Sequence, residues 1–309
     1  MQTSLTGVMT PVATPFTDGG DRIDFSAYRK LVDALVKSGS VSAIIATAAT
    51  GQFASLSDAE RQELAEVTAD EVAGRLPIIV GAGAPSTHEA IRWTKHAEKI
   101  GAVGVMIMPP YYGPTPAPVA VRHYEAISQA CSTPIMIYNA PYASHNILMP
   151  EHIVAAVERA NIKWVKLTTG AIDHVTWLRG LLGDRVQLYE GVDPLAFPSI
   201  CLGADGWIAG PSNMIPEVTA EMYKRAKAGD VPAARRLQDK MFPLLQSMRE
   251  NMGYYDVIAE VCRLRGIDLG VSRLPGMPLQ GEHLERVRNA AKDLGLVGVP
   301  IGELDASKL

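Results

Sequence analysis

Several things are scarce or missing in this sequence. It has three cysteines, Cys131, Cys201 and Cys262, an odd and widely spaced set. That set supports neither a disulfide framework nor a structural zinc site. Charge of one sign is not in excess: 29 Lys and Arg face 33 Asp and Glu, leaving −4. There is therefore no basic footprint, and nucleic acid is not expected as a partner. No apolar run is long enough to cross a bilayer, so no membrane partner is expected. Residues 1–6 show neither the charged nor the apolar region of a secretory signal. Phosphate loops of the GxGxxG or GxxxxGK[ST] kind are absent, and Gly81, Ala82, Gly83, Ala84 read as a tight turn. His88, His96, His123, His152, His174 and His283 show no HxxxH or HExxH spacing, so no metal is expected. These absences suggest a soluble, cytoplasmic protein of a reducing compartment.

What is present is a long, regular alternation. The chain has 309 residues, 47% of them hydrophobic and 20% charged, too apolar for disorder and long enough for a sizeable core. Eight short apolar runs, at 7–13, 42–48, 77–81, 103–108, 134–138, 162–167, 186–189 and 207–209, read as strands buried on both faces. Between them lie amphipathic stretches at 25–37, 57–73, 86–99, 119–130, 150–159, 173–182 and 195–202. Ser57 and Glu60 form a capping-box pattern, and Ser86 and Thr87 are cap candidates. Strict alternation implies parallel strands with crossover helices, and eight units fit an α/β (β/α)8 barrel. Four further helical stretches follow at 217–228, 233–250, 254–265 and 281–294. The expected division is a barrel core over residues 1–216. Residues 217–309 then hold the eighth barrel helix and a C-terminal helical appendage.

A barrel of this kind carries its chemistry at the C-terminal ends of its strands. The sixth strand places Lys166 and Thr168 on the face of Trp164, with Lys163 on the other. An apolar strand favours the neutral amine, and a neutral amine is a nucleophile that forms a Schiff base with a ketone. A snorkelling or ion-paired lysine is the alternative. Tyr138 ends the fifth strand, where a phenol relays protons to imine intermediates or simply packs. After the second strand, Ala48, Ala49, Thr50, Gly51 and Gln52 offer small residues and backbone N–H groups suited to cradling a carboxylate. An ordinary loop has the same composition. Tyr254 and Tyr255 read as packing residues, and Arg235, Arg236 and Lys240 as a solvated helix face.

Taken together, these residues resemble the dihydrodipicolinate synthase / N-acetylneuraminate lyase family of Schiff-base barrels. The resemblance runs from about Leu5 to Leu296. Thr14, Pro15 and Phe16 match an early TPF motif, and residues 48–52 stand at GTTGE. Pro110, Tyr111 and Tyr112 match PYY, while Tyr138, Asn139, Ala140 and Pro141 match YNxP. Lys166 falls on the imine lysine, Gly191 and Asp193 on GxD, and residues 206–216 on a GxI…N…P segment. The resemblance implies an imine between Lys166 and a 2-oxo acid, usually pyruvate, with Tyr138 as proton relay. It implies that the N–H groups of Ala49 and Thr50 hold the carboxylate and that the Ile208 carbonyl lines the pocket. Tyr112 would complete a neighbouring subunit's site in a homotetramer built from dimers. No metal or organic cofactor is implied.

The departures bear on the acceptor. The family usually carries Thr or Ser where Ala49 stands, and that hydroxyl links two tyrosines. Here the relay must run through Thr50, Thr47 or a water. The synthase's acceptor-binding Arg is Ala143 here, which removes the guanidinium that would clamp aspartate semialdehyde. Pro194 and Gly210 stand where sialic-acid lyases bind the sugar chain, although Thr168 and Asp193 are kept. Tyr142, Ala143, Ser144, His145, Thr168, Trp207 and Gly210 would shape a pocket for a small or partly apolar acceptor of aldehyde type. The expected activity is a class I aldolase or lyase on pyruvate or another 2-oxo acid. The acceptor would be neither aspartate semialdehyde nor sialic acid. Alternatives on the same imine are the 4-hydroxy-tetrahydrodipicolinate synthase reaction, dehydration of a 2-keto-3-deoxy sugar acid, and deamination of a pyrroline hydroxycarboxylate. A keto-acid-binding degraded homologue is the non-enzymatic alternative.

Overall fold

The computed structural model describes residues 5–250 and 253–309. The first four residues of the N-terminal stretch read above lie outside the described residues. Eight parallel strands hydrogen-bond in chain order into a closed barrel. They are β1 Gly7–Pro11, β2 Ala43–Ala46, β3 Ile78–Gly81, β4 Gly104–Ile107, β5 Ile135–Asn139, β6 Ile162–Leu167, β7 Gln187–Glu190 and β8 Gly206–Ile208. Helices alternate with them: α1 Phe25–Lys37, α2 Asp58–Val72, α3 Thr87–Lys99 and α4 Ala117–Ala130. Then come the one-turn α5 Pro141–Ser144, α6 Pro150–Arg159, α7 Asp173–Leu182 and α8 Ala196–Cys201. After the barrel come α9 Pro216–Lys227, α10 Val231–Ser247, α11 Tyr254–Leu264 and α12 Gly281–Asp293. The (β/α)8 barrel with C-terminal helices is thus the observed architecture.

Every apolar run became a strand, β6 with the expected bounds and the others trimmed or shifted by a residue or two where the ladder stops. β5 runs one residue further than expected because Asn139 is buried and fully used. Its amide donates to Leu148 O at 2.7 Å and accepts from Leu148 N at 3.1 Å, pinning the loop that follows. The capping box at Ser57 forms both of its bonds. Among the features not expected are the α5 turn and a 3-10 turn at Ala49–Gly51.

By packing, the chain divides into two compact units. One is Pro77–Ile208 with the short segment before Gly7, and it holds β3 to β8. In its core Trp164 occupies the space where a Cβ on Gly104 would come within 2.4 Å of the ring. Glycine at 104 is what lets a tryptophan into the barrel interior. β6 is irregular against β5: Ile135 pairs with Ile162, but Met136 pairs with Trp164, so Lys163 is an extra residue. Such a bulge leaves one residue unpaired and resets the register beyond it.

The other unit is Gly7–Leu76 with Ala209–Leu309. Here Tyr255 places its hydroxyl between the carbonyls of Thr14 at 2.8 Å and Leu269 at 2.9 Å. Tyr254 lies against Gly210, whose Cβ would fall 1.9 Å from the phenol oxygen. Both tyrosines pack. Arg265 donates to both carboxylate oxygens of Glu217 and to the carbonyls of Met214 and Pro300. No helix among the described residues is long and apolar enough to cross a membrane.

Candidate active site

In the unit formed by β3 to β8, three strands carry side chains with chemistry at their C-terminal ends: Tyr138 and Lys166, each one residue from the end of β5 and β6, and Glu190, the last residue of β7. The bulge at Lys163 determines which of them meet. It sets Tyr138 opposite Lys166, and Lys166 opposite Tyr189 in turn. Lys166 Nζ sits over the Tyr138 ring, 4.1 Å from its centroid. The lysine is 6% exposed, and among the described residues it forms no ion pair.

Desolvation is the largest influence on Lys166. It lowers the amine from its ordinary 10.5 to about 8, although the negative charges of Asp193 and Glu190 pull the other way. Burial wins because the nearby carboxylates are committed elsewhere. Glu190 accepts from Gly191 N at 2.9 Å, Val192 N at 2.7 Å and Ser199 Oγ at 2.5 Å. Asp193 accepts from Trp207 Nε1 at 3.0 Å. Burial also raises the Glu190 carboxyl, against the pull of those three donors. An amine near 8 is neutral in a useful fraction at physiological pH, which is the state that attacks a carbonyl.

Gly191 gives the lysine its room. A Cβ there would lie 2.1 Å from Thr168 Oγ1 and 2.6 Å from Lys166 Cε. The glycine of the GxD pattern therefore answers to a steric demand. Tyr138 is buried, and desolvation pushes its phenol far above the ordinary 10, with the Tyr142 phenol next. Its hydroxyl meets that of Tyr142 at 2.8 Å. The buried Thr168 hydroxyl faces the same phenol and eases its rise.

The structure thus brings together Lys166, Tyr138, Tyr142, Thr168 and Gly191, and joins Asp193 to Trp207. Ala143 and His145 belong to the α5 turn, where His145 is exposed and caps the turn at φ 56°. Ser144 is buried, with its hydroxyl donating to Ala140 O and Asn146 O within the same turn. Ile208 is the buried last residue of β8. Tyr112 is 94% exposed. Asn146, absent from the reading of the sequence, ties the Tyr112 loop to this turn through Thr115 N and Pro110 O. Glu190 was also missed; an acidic residue ending an apolar strand was its one sequence signal.

In the other unit, the loop after β2 is built for exposed backbone donors. Thr47 and Gln52 adopt the left-handed conformation, at φ 52° and 54°, on either side of the 3-10 turn Ala49–Gly51. A β-branched residue at positive φ is strained, and strain of this kind costs about 1–3 kcal/mol. Gly51 packs so that a Cβ would come within 2.8 Å of Val12 O, and Thr14 Oγ1 donates to Gly51 O at 2.7 Å. Ala49 and Thr50 open the turn, so their N–H groups have no acceptor inside it. No group of three His, Cys, Asp or Glu among the described residues is placed to hold a metal ion.

The family model described as the dihydrodipicolinate synthetase family matches residues 4–294. A 4-hydroxy-tetrahydrodipicolinate synthase of Methanopyrus kandleri is 34% identical over 292 residues, covering 94% of this chain and 97% of that protein. One from Thermomicrobium roseum is 33% identical over 303 residues, covering 97% and 99%. Among solved structures, a chloride-inhibited dihydrodipicolinate synthase of Acinetobacter baumannii complexed with pyruvate matches with a TM-score of 0.89. It is 31% identical, over 95% of this chain and 100% of that one.

Proposed function

The chain belongs to the dihydrodipicolinate synthetase family, as a lyase of the class I aldolase type, and we propose that Lys166 forms its imine with pyruvate or a related 2-oxo acid. The observation that carries this reading is the Lys166 nitrogen itself: buried, lowered to about 8, without an ion pair among the described residues, and stacked on Tyr138. A structural lysine in the same place would be held by a carboxylate. The protonated imine then acts as an electron sink, so a C–C bond forms or breaks at the adjacent carbon, or water leaves. Tyr138 moves the protons, Thr168 and Asp193 face the substrate, and the N–H groups of Ala49 and Thr50 hold its carboxylate. No metal or organic cofactor takes part in this scheme.

For the acceptor, the α5 turn argues against aspartate semialdehyde. It carries Tyr142 and Ala143 and presents no guanidinium, so a carboxylate arriving there finds no bidentate partner. A small aldehyde or partly apolar acceptor fits better. The synthase reaction is the second reading, favoured by the names of the relatives above. Tyr112 would sit at a neighbouring copy's site within a homotetramer, and residues 217–309 would act as eighth helix plus appendage.

The test is product analysis. Pyruvate is offered with a panel of aldehydes that includes aspartate semialdehyde, and a second panel holds 2-keto-3-deoxy acids. Condensation with an uncharged aldehyde supports the first reading, and condensation with aspartate semialdehyde alone supports the second. Turnover confined to the deoxy acids overturns both.

A further inference from the structure

Proton transfer is where this chain departs most from the family it resembles. The hydroxyl that the resemblance sets beside Tyr138 belongs to residue 49, and Ala49 has only a methyl group. A methyl group carries no exchangeable proton. Within its own unit, however, the Tyr138 hydroxyl already has a phenolic neighbour at 2.8 Å, Tyr142. The α5 turn makes the contact: Pro141 opens it, Tyr142 follows, and His145 closes it. Tyr138 is 3% exposed and Tyr142 is 65% exposed. Tyr142 meets solvent as a residue while burial still raises its phenol, so its hydroxyl stands between the sealed strand end and the surface.

We infer that Tyr142 is the second member of the proton relay, returning to Tyr138 each proton that Tyr138 passes to the substrate. This rests on the Lys166 imine reading. As Lys166 Nζ bonds to the ketone carbon, the C=O electron pair moves onto oxygen. That oxygen takes the Tyr138 proton, Tyr138 takes one from Tyr142, and Tyr142 takes one from water. The ammonium formed on Nζ loses its proton by the reverse path. One further proton, delivered the same way, lets the carbinolamine oxygen leave as water and the cationic imine form. Loss of a C3 proton from that imine moves the C–H pair into a C=C bond and the C=N pair onto nitrogen. The relay carries that proton outward.

Two features favour this path. A deprotonated Tyr138 would be strongly disfavoured in its buried site, so a donated proton must be replaced in step. Tyr142 is the hydroxyl that meets it at 2.8 Å, on the turn that leads outward.

Pyruvate alone is a sufficient probe. Borohydride trapping, read as a mass increase on Lys166, reports imine capacity. Deuterium uptake into the pyruvate methyl group in heavy water, read by NMR, reports proton traffic without any acceptor. The wild type is expected to do both. Tyr142→Phe is expected to give the same final trapped adduct at saturating pyruvate while exchanging about 100-fold more slowly, within the usual range for an acid–base group. Tyr142→His, which keeps an exchangeable proton, is expected to recover part of the rate. Tyr138→Phe and the double variant are expected to exchange at one common low rate, because the two phenols act as a unit. Exchange by Tyr142→Phe within threefold of wild type overturns the relay. So does a double variant slower than Tyr138→Phe by the full Tyr142→Phe factor. Failure of the wild type to trap pyruvate strikes the imine reading instead.

Discussion

At the scale of single residues, the behaviour of Lys166 follows from where its charge is not welcome. Its amine falls to about 8, so it is an ammonium below that pH and a nucleophile above it. The initial rate of pyruvate trapping should rise with pH and level off above a midpoint near 8. Glu190 raises the lysine by its charge, so Glu190→Gln should move that midpoint toward acid. The variant keeps a carbonyl acceptor for Gly191 N and Val192 N. A midpoint that moves upward would show that the carboxylate does not act through its charge. The same lowered value makes Lys166 a stability cost. The unfolded chain binds this proton more tightly than the folded one up to about pH 10.5. Lys166→Met should therefore stabilise the fold at pH 7 by about 3 kcal/mol, the linkage value of a shift from 10.5 to about 8. Urea unfolding should show the gain intact below pH 8 and gone by about pH 10.5. Gly191→Ala tests the steric demand. Its Cβ cannot share space with Lys166 Cε at 2.6 Å, and overpacking of this sort costs about 1–3 kcal/mol. Trapping should slow far more than stability falls, as measured by borohydride and urea respectively. Much of this was readable beforehand: Lys166 in an apolar strand and Tyr138 at a strand end were visible from alternation alone. The Tyr138–Tyr142 bond was not, because it depends on a one-turn helix that four residues beginning with Pro141 do not announce.

At the scale of elements, apolar runs rich in Val and Ile located all eight strands, since strands buried on both faces carry little else. The helices were legible for a different reason, a 3.6-residue apolar stripe ended by caps such as Ser57 and Ser86. Register was not legible. If β6 continued from Ile135 opposite Ile162 without a bulge, Tyr138 would face Val165, and Lys166 would lie beyond it. Nothing in Ile162, Lys163, Trp164 marks Lys163 as the extra residue; tertiary packing of Trp164 against Gly104 decides it. The loop after β2 was equally opaque, because Thr47 at positive φ contradicts the local preference of a β-branched residue. Among helices, α9 is fixed by a buried charge pair. Arg265 and Glu217 are joined by two hydrogen bonds, and Glu217 also accepts from Gly302 N at 2.6 Å and Leu304 N at 3.2 Å. Arg265→Met would leave that carboxylate buried without its cation. Breaking such a pair costs about 3–5 kcal/mol, so the urea midpoint should fall sharply, and an unchanged midpoint would show the pair to be dispensable.

At the scale of the whole molecule, the family match spans nearly the entire chain, and the barrel closes on itself. The proposed homotetramer makes a prediction of its own. Tyr112 is exposed, and sedimentation equilibrium should return four chains per particle. A monomer across the measured concentrations would remove Tyr112 from any neighbour's site. Closure has another consequence. An open sheet can absorb a slipped strand at its rim, but β6 is laced to β5 on one side and β7 on the other. The amine is thus placed by a count of residues along the wall more than by any bond it makes. Along that strand, one hydrophobic residue can drift into another with little harm. Losing Val165 would bring Lys166 opposite Ile137 and swing the nitrogen out of the lumen, and the ring has no slack with which to forgive it.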